Sequence, residues 1–239
     1  MIKTILFDLD GTLLPMDQEC FTKGYFSRLV KKIAPLGYEP QKLIDAVWRG
    51  TAAMVKNDGT VTNEEAFWLA FCGIYGDKAV KDRPVFDEYY VKEFMDVKND
   101  CGFNERSAET VKKLKDMGFR LVLATNPIFP ATATEGRIKW AGLDRNDFLY
   151  CSTYENSHYC KPNPEYYKEI LNKLSLKPEE CLMVGNDVTE DTAAEKVGIK
   201  VFLLIDCLIN KDGTDISRYP HGSFDELMNY ITGETGEKL

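Results

Sequence analysis

The chain has 239 residues, 44% of them hydrophobic and 28% charged, with a formal net charge of -8. This describes an ordinary globular protein, either one large domain or a core with a smaller insertion. The acidic balance argues against a nucleic-acid backbone or an anionic membrane as the main partner, because both are met by basic patches.

In chain order, Ile2 to Phe7 reads as a buried parallel strand that ends in Asp8-Leu9-Asp10-Gly11-Thr12. Met1-Ile2-Lys3-Thr4 leads directly into it rather than into a signal-peptide apolar region, so a cytoplasmic protein is expected. Buried strands tolerate carboxylates only at their ends, which places Asp8 and Asp10 at the carboxyl edge of a sheet, where open α/β sheets bind ligands. Gly11 supplies a sharp turn. Two carboxylates this close call for a cation between them or a proton on one.

Helical spacing then takes over. Asp17 caps a helix from about Gln18 to Ala34, which Pro35 and Gly37 stop, and Pro40 opens a second through Met54. Thr62 and Glu65 form a capping box before Phe67, Trp68 and Phe71, and a fourth helix is predicted near Pro84 to Asp96. Four amphipathic helices in a row predict a small bundle with aromatic stripes in its core.

From Ser107 the texture becomes alternating. A helix from Ala108 to Met117 precedes a strand at Phe119 to Ala124 that ends in Thr125-Asn126, and a helix runs on to Ala141-Gly142. A short strand at Phe148 to Cys151 leads to a loop holding Lys161-Pro162, and Asn163 caps the next helix. Cys181 to Gly185 is a strand that ends in Asn186-Asp187. A helix follows to Gly198, then a strand at Lys200 to Ile205. Ser223 with Glu226 opens a final helix, and Gly233 to Leu239 is expected to fray. No apolar run approaches the ~20 residues that span a bilayer. The seven cysteines have no C-x-x-C spacing and predict reduced thiols, with neither a disulfide framework nor a zinc site.

Alternating strands and helices imply an α/β, doubly wound parallel sheet of Rossmann-like form, with the helical bundle inserted after its first strand. The expected division is a core of residues 1–15 and 104–239 and a cap of residues 16–103. In such a sheet the strand ends gather Asp8, Asp10, Thr125, Asn126, Lys161, Asn186, Asp187 and Asp191 at one edge.

An acid pair, a hydroxyl, a lysine and a second acid pair suit phosphoryl transfer. Asp8 is the candidate nucleophile, forming an aspartyl phosphate. Asp10 protonates the leaving oxygen and then takes a proton from water. Thr125 and Asn126 bind the transferring group, and Lys161 adds a fixed positive charge. Asp187 completes an oxygen site for Mg²⁺ with the Asp8 carboxylate and the Asp10 carbonyl. Asn186 contributes through water, and Asp191 holds Lys161 or a metal-bound water. Arg49 and Lys56 are candidate contacts for a second anionic group, with a solvated helix face as the alternative. No P-loop, Gly-x-Ser-x-Gly elbow or Gly-x-Gly-x-x-Gly is present.

Asp8-Leu9-Asp10-Gly11-Thr12, Thr125-Asn126, Lys161-Pro162-Asn163-Pro164 and Gly185-Asn186-Asp187 through Asp191 resemble the four signature motifs of the haloacid dehalogenase (HAD) superfamily, in order and over the whole chain. The resemblance implies a Rossmann-like core with an α-helical cap and a Mg²⁺-dependent phosphatase acting on a small phosphorylated metabolite through a phosphoaspartate. One departure stands out: many members carry an acid directly after the glycine, where this chain has Asn186. Alternatives are a sugar phosphomutase, a 2-haloacid dehalogenase, a phosphonatase using a cap lysine such as Lys23, Lys42 or Lys56, and a silent binding scaffold. Monomer and homodimer are both compatible with the sequence.

Overall fold

The computed structural model describes residues 1–235. Strand β1 (Thr4–Phe7) is followed by helices α1 (Gln18–Ile33), α2 (Pro40–Val55), α3 (Asn63–Tyr75) and α4 (Asp77–Val91). A 3-10 segment, Glu93–Asp100, returns the chain to α5 (Glu105–Asp116) and β2 (Arg120–Leu123). Next come α6 (Ala131–Trp140), β3 (Tyr150–Cys151), α7 (Pro164–Leu174), β4 (Cys181–Gly185), β5 (Lys200–Leu204), β6 (His221–Gly222) and α8 (Phe224–Thr235).

The sheet runs β3-β2-β1-β4-β5-β6, with every pairing parallel. Side chains alternate across it. Ile5, Phe7, Leu121, Leu123, Leu182 and Val184 face a core shared with α5, α8 and the helical insertion. Leu6, Val122, Met183 and Val201 face α7 and the 3-10 turn Thr192–Val197. The sheet is therefore buried on both sides, as a doubly wound α/β fold requires. Phe7 pairs with Leu123 and with Val184, so the chain leaves three adjacent strands at one level.

Three elements differ from the sequence expectation. α4 starts at Asp77, directly after Gly76, and Pro84 lies within it. Burial of Phe86 and Tyr89 outweighs the one helical N–H that proline withholds. The helix expected after Asp187 is only the 3-10 turn Thr192–Val197, because the preceding residues are held by side-chain hydrogen bonds to Asp187 and Asp191. The edge strand β6, two residues long, gave no periodic pattern. α8 is opened by Ser223 and Glu226 as expected and extends to Thr235; residues 236–239 of the end expected to fray lie outside the described residues. All seven cysteines are free thiols. No helix among the described residues is long and apolar enough to cross a membrane.

Candidate active site

The parallel register delivers the site. Asp8 follows the last residue of β1, Thr125 and Asn126 follow β2, and Asn186 follows β4. Gly11 turns the first loop with φ +85°, and a Cβ there would stand 2.2 Å from Asn186 Nδ2, so the close approach of the two loops needs glycine.

Lys161 is buried, and its Nζ donates to Asp8 Oδ1 at 2.9 Å and to Asp191 Oδ1 at 2.7 Å. Asp191 Oδ2 accepts from the backbone N–H groups of Asn186 and Asp187, each at 2.9 Å. Asp191 therefore orients the lysine and ties the β4 loop to it. Burial works against the charge of Lys161, but Asp191 and Asp8 more than offset this and hold its pKa well above the usual value. Burial also pushes the Asp8 carboxyl up, to about 7, against the pull of Lys161. A divalent cation beside Asp8 acts in the opposite direction.

Asp10 is joined by a residue the motifs do not contain. The fully buried Arg137 of α6 donates from Nη1 to Asp10 Oδ2, and its guanidinium lies 4.4 Å from the Phe129 ring centroid. Burial raises the Asp10 pKa, opposed by Arg137 and then Lys161. The only sequence signal for Arg137 was its helical spacing from Ala133, Thr134, Trp140 and Ala141, all buried, which puts a charge on an apolar face.

The backbone carbonyl of Thr125 accepts from Ser152 Oγ at 2.7 Å and Tyr166 Oη at 2.8 Å, which fixes the β2 loop. Asn126 Nδ2 donates to Glu190 Oε1 at 3.0 Å, a carboxyl that burial pushes up to about 8. Thr12 Oγ1 lies 3.3 Å from Asp8 Oδ2 and 3.0 Å from Asn186 Oδ1, so Asn186 stands beside the acid pair. Asp187 Oδ1 accepts from the N–H groups of Thr189 and Glu190. Asp8, Asp10, Thr125, Asn126, Asn186, Asp187 and Asp191 line one cavity of about 120 Å³. At about 30 Å³ per water molecule it has room for a phosphoryl group. Arg49 and Lys56 are exposed and line neither this cavity nor its apolar neighbour.

A model of the haloacid dehalogenase-like hydrolases matches residues 2–198. The chain belongs to this family and is a hydrolase. Pyrophosphatase PpaX of Halalkalibacterium halodurans is 27% identical over 201 residues, covering 83% of this chain and 81% of that one. Among solved structures, 2-haloacid dehalogenase from Pseudomonas syringae superposes with a TM-score of 0.65 at 18% identity, covering 98% of this chain and 100% of that one. The magnesium-bound HAD-hydrolase YfnB of Bacillus subtilis gives 0.55 at 17%, covering 96% and 98%. At these identities the structural likeness carries the fold alone.

The donor chemistry fits Mg²⁺. Asp10 Oδ1 and Asn126 Oδ1 are buried oxygens with no hydrogen-bond partner, and the surrounding donors are oxygens, as a hard cation prefers. Among the described residues, no group of three or more His, Cys, Asp or Glu side chains is placed to hold a metal ion by itself. Mg²⁺ usually needs none, since it uses one or two carboxylates plus water and substrate phosphate.

Proposed function

We infer that this hydrolase is a Mg²⁺-dependent phosphatase of small phosphomonoesters, with residues 16–103 as cap over a core of residues 1–15 and 104–239. The observation that carries this reading is the Asp8–Lys161–Asp191 chain: the buried lysine pairs with two carboxylates that line, together with Asp10, a cavity of phosphoryl size. The name of the PpaX relative, a pyrophosphatase, supports phosphoryl-bond hydrolysis.

Asp8 uses the carboxylate oxygen not held by Lys161 to attack phosphorus as the ester P–O bond breaks, and Asp10 hands its proton to the departing alcohol. Asp10 then takes a proton from water, which cleaves the aspartyl phosphate to inorganic phosphate. Lys161 stays charged throughout and offsets the phosphoryl oxygens, while Thr125 and Asn126 hold them by hydrogen bonds. The Asp8 carboxylate, the Asp10 carbonyl and Asp187 would hold Mg²⁺, with Asn186 nearby. When bound, the ion neutralises charge on the carboxylate and the phosphoryl group.

The test is phosphate release from 4-nitrophenyl phosphate and a metabolite panel with Mg²⁺. Activity is expected to vanish on chelation and to fall at least about a thousandfold in Asp8→Asn, as for loss of a nucleophile, with the circular-dichroism melt retained. Release that persists in Asp8→Asn, or no release from any ester, overturns the reading. Phosphate recovered on an added sugar acceptor instead of in solution would mark a mutase.

A further inference from the structure

A second cavity, of about 230 Å³, adjoins the polar one and shares Asp10, Gln18 and Ile128 with it. Its rings include Phe21, Tyr25 and Phe26 from α1, Trp48 from α2, Phe67 from α3 and Phe129 from the loop after β2, and its other walls are aliphatic or neutral polar apart from Asp10. Phe26 and Trp48 lie 5.4 Å apart by ring centroids, and Phe21 meets Phe129 edge-on at 6.0 Å. The hydroxyls of Tyr25 and Tyr90 are hydrogen-bonded to each other at 2.9 Å, one donating and one accepting. Among the described residues that line this chamber, Asp10 is the only charged one; no lysine or arginine is present. Arg137 stacks on Phe129 but is already paired with Asp10.

This composition selects among substrates. An anionic leaving group here would shed its water without gaining a cation, beside a carboxyl group, which is strongly unfavourable. An apolar ring gains from burial and from edge-to-face contacts. An apolar cavity of about 150 Å³ accommodates benzene, so this one takes a single ring with a short side chain.

We propose that the substrate is the phosphate monoester of an uncharged aromatic or similarly apolar alcohol, its ring seated in this chamber and its ester oxygen beside Asp10. The proposal rests on the phosphatase reading above. Hydrolysis releases the free alcohol, with the proton supplied by Asp10, and inorganic phosphate containing one oxygen from water. It also separates this chain from an enzyme acting on pyrophosphate, whose leaving group is itself phosphate.

The experiment compares phenethyl phosphate with 2-phosphoglycolate and pyrophosphate, avoiding aryl esters whose better leaving group would mimic a preference. Wild-type kcat/KM is expected to favour phenethyl phosphate at least about tenfold, the scale on which apolar pockets discriminate. Thr22→Arg introduces a cation on the half-buried α1 side of the chamber, and Trp48→Ala removes a half-exposed ring at its rim. Each is expected to lower the phenethyl-to-phosphoglycolate ratio about tenfold. Calorimetric titration of Asp8→Asn with the same three compounds reads the chamber without turnover and is expected to give the same order. Equal or reversed preference in both assays, or ratios unmoved by both variants, overturns the proposal while leaving the phosphatase reading standing. Failure of all hydrolysis, with phenethyl phosphate still the tightest ligand of Asp8→Asn, overturns the phosphatase reading and keeps the chamber assignment.

Discussion

Arg137 shows how much of a site can lie outside its motifs. Asp8, Asp10 and Lys161 were legible because carboxylates and an ammonium next to buried strands need a reason to be there. Arg137 sits in the middle of α6, where the sequence offers only a charge on an apolar face, and its partner is 127 residues away. Its guanidinium also touches Ala133 O and Thr134 Oγ1, at 3.4 and 3.3 Å, so it is aimed from several sides. As a positioning residue it holds one oxygen of Asp10 and leaves the other without a hydrogen-bond partner. Arg137→Met strips a part-buried carboxyl of its partner and is expected to cost about 1–3 kcal/mol, the usual penalty for leaving such a group unsatisfied. Urea melts measure this. On the folded fraction, kcat should fall at least about tenfold, less than the roughly hundredfold or more that the general acid–base group itself contributes, with KM little changed. Arg137→Lys, which keeps the charge without the planar fork, should recover part of kcat. A drop in stability with normal kcat would reduce Arg137 to a structural role.

At the scale of elements, apolar runs bounded by polar residues placed β1, β2, β4 and β5, and capping residues placed most helices. The failures are where side-chain hydrogen bonds replace periodicity. The stretch from Asp187 to Asp191 is held by Asp187 Oδ1 and Asp191 Oδ2 binding backbone N–H groups, a local competition with helix that spacing does not reveal. The end of β4 is tightly fitted to that turn. A Cβ on Gly185 would stand 2.0 Å from Asp191 Oδ2. Gly185→Ala must push Asp191 away from Lys161 and from the two N–H groups it accepts. Overpacking of this kind costs about 1–3 kcal/mol, and activity is expected to fall with it. Gly118→Ala is the control: φ is +87° and nothing lies within 4 Å of the added Cβ. There only the left-handed backbone is penalised, by roughly 1–2 kcal/mol, and kcat should remain at the wild-type value. Equal kinetic damage in both variants, each assayed on folded protein, would show that the Asp191 contact is not the cause.

Across the whole molecule, the insertion of four helices between β1 and β2 could be read from the change of texture at Asp17, whereas the seam between helices and sheet could not. It depends on main-chain carbonyls contributed by distant loops. The first N–H groups of α3 are satisfied by the opposite side of the seam: Asn63 N donates to Ser157 O at 2.8 Å and Glu64 N to Tyr154 O at 2.9 Å. The Asn63 side chain is fully buried. Its Nδ2 points at the carbonyls of Pro127 and Tyr159, at 3.2 and 3.3 Å, and its Oδ1 accepts from Asn57 at 2.9 Å. A second tie closes the two linkers, Gly102 N to Pro15 O at 2.8 Å. Aromatic contacts complete the seam, with Phe94 stacked on Trp140 at 5.2 Å and Tyr25 edge-on to Phe129 at 5.6 Å. Any rotation of the helical layer that admitted substrate would have to loosen the α3 anchor or pivot about it. Asn63→Ala takes the Nδ2 donor from the Pro127 and Tyr159 carbonyls and leaves the Asn57 amide with only its bond to Val61 O, at a cost of about 1–3 kcal/mol. Hydrogen exchange should then quicken at the amides of residues 63 and 64 more than at those of β1, whose bonds lie wholly within the sheet. Faster exchange spread evenly over both regions would mean that the anchor stabilises the molecule globally and is not the point at which the helical layer parts from the sheet.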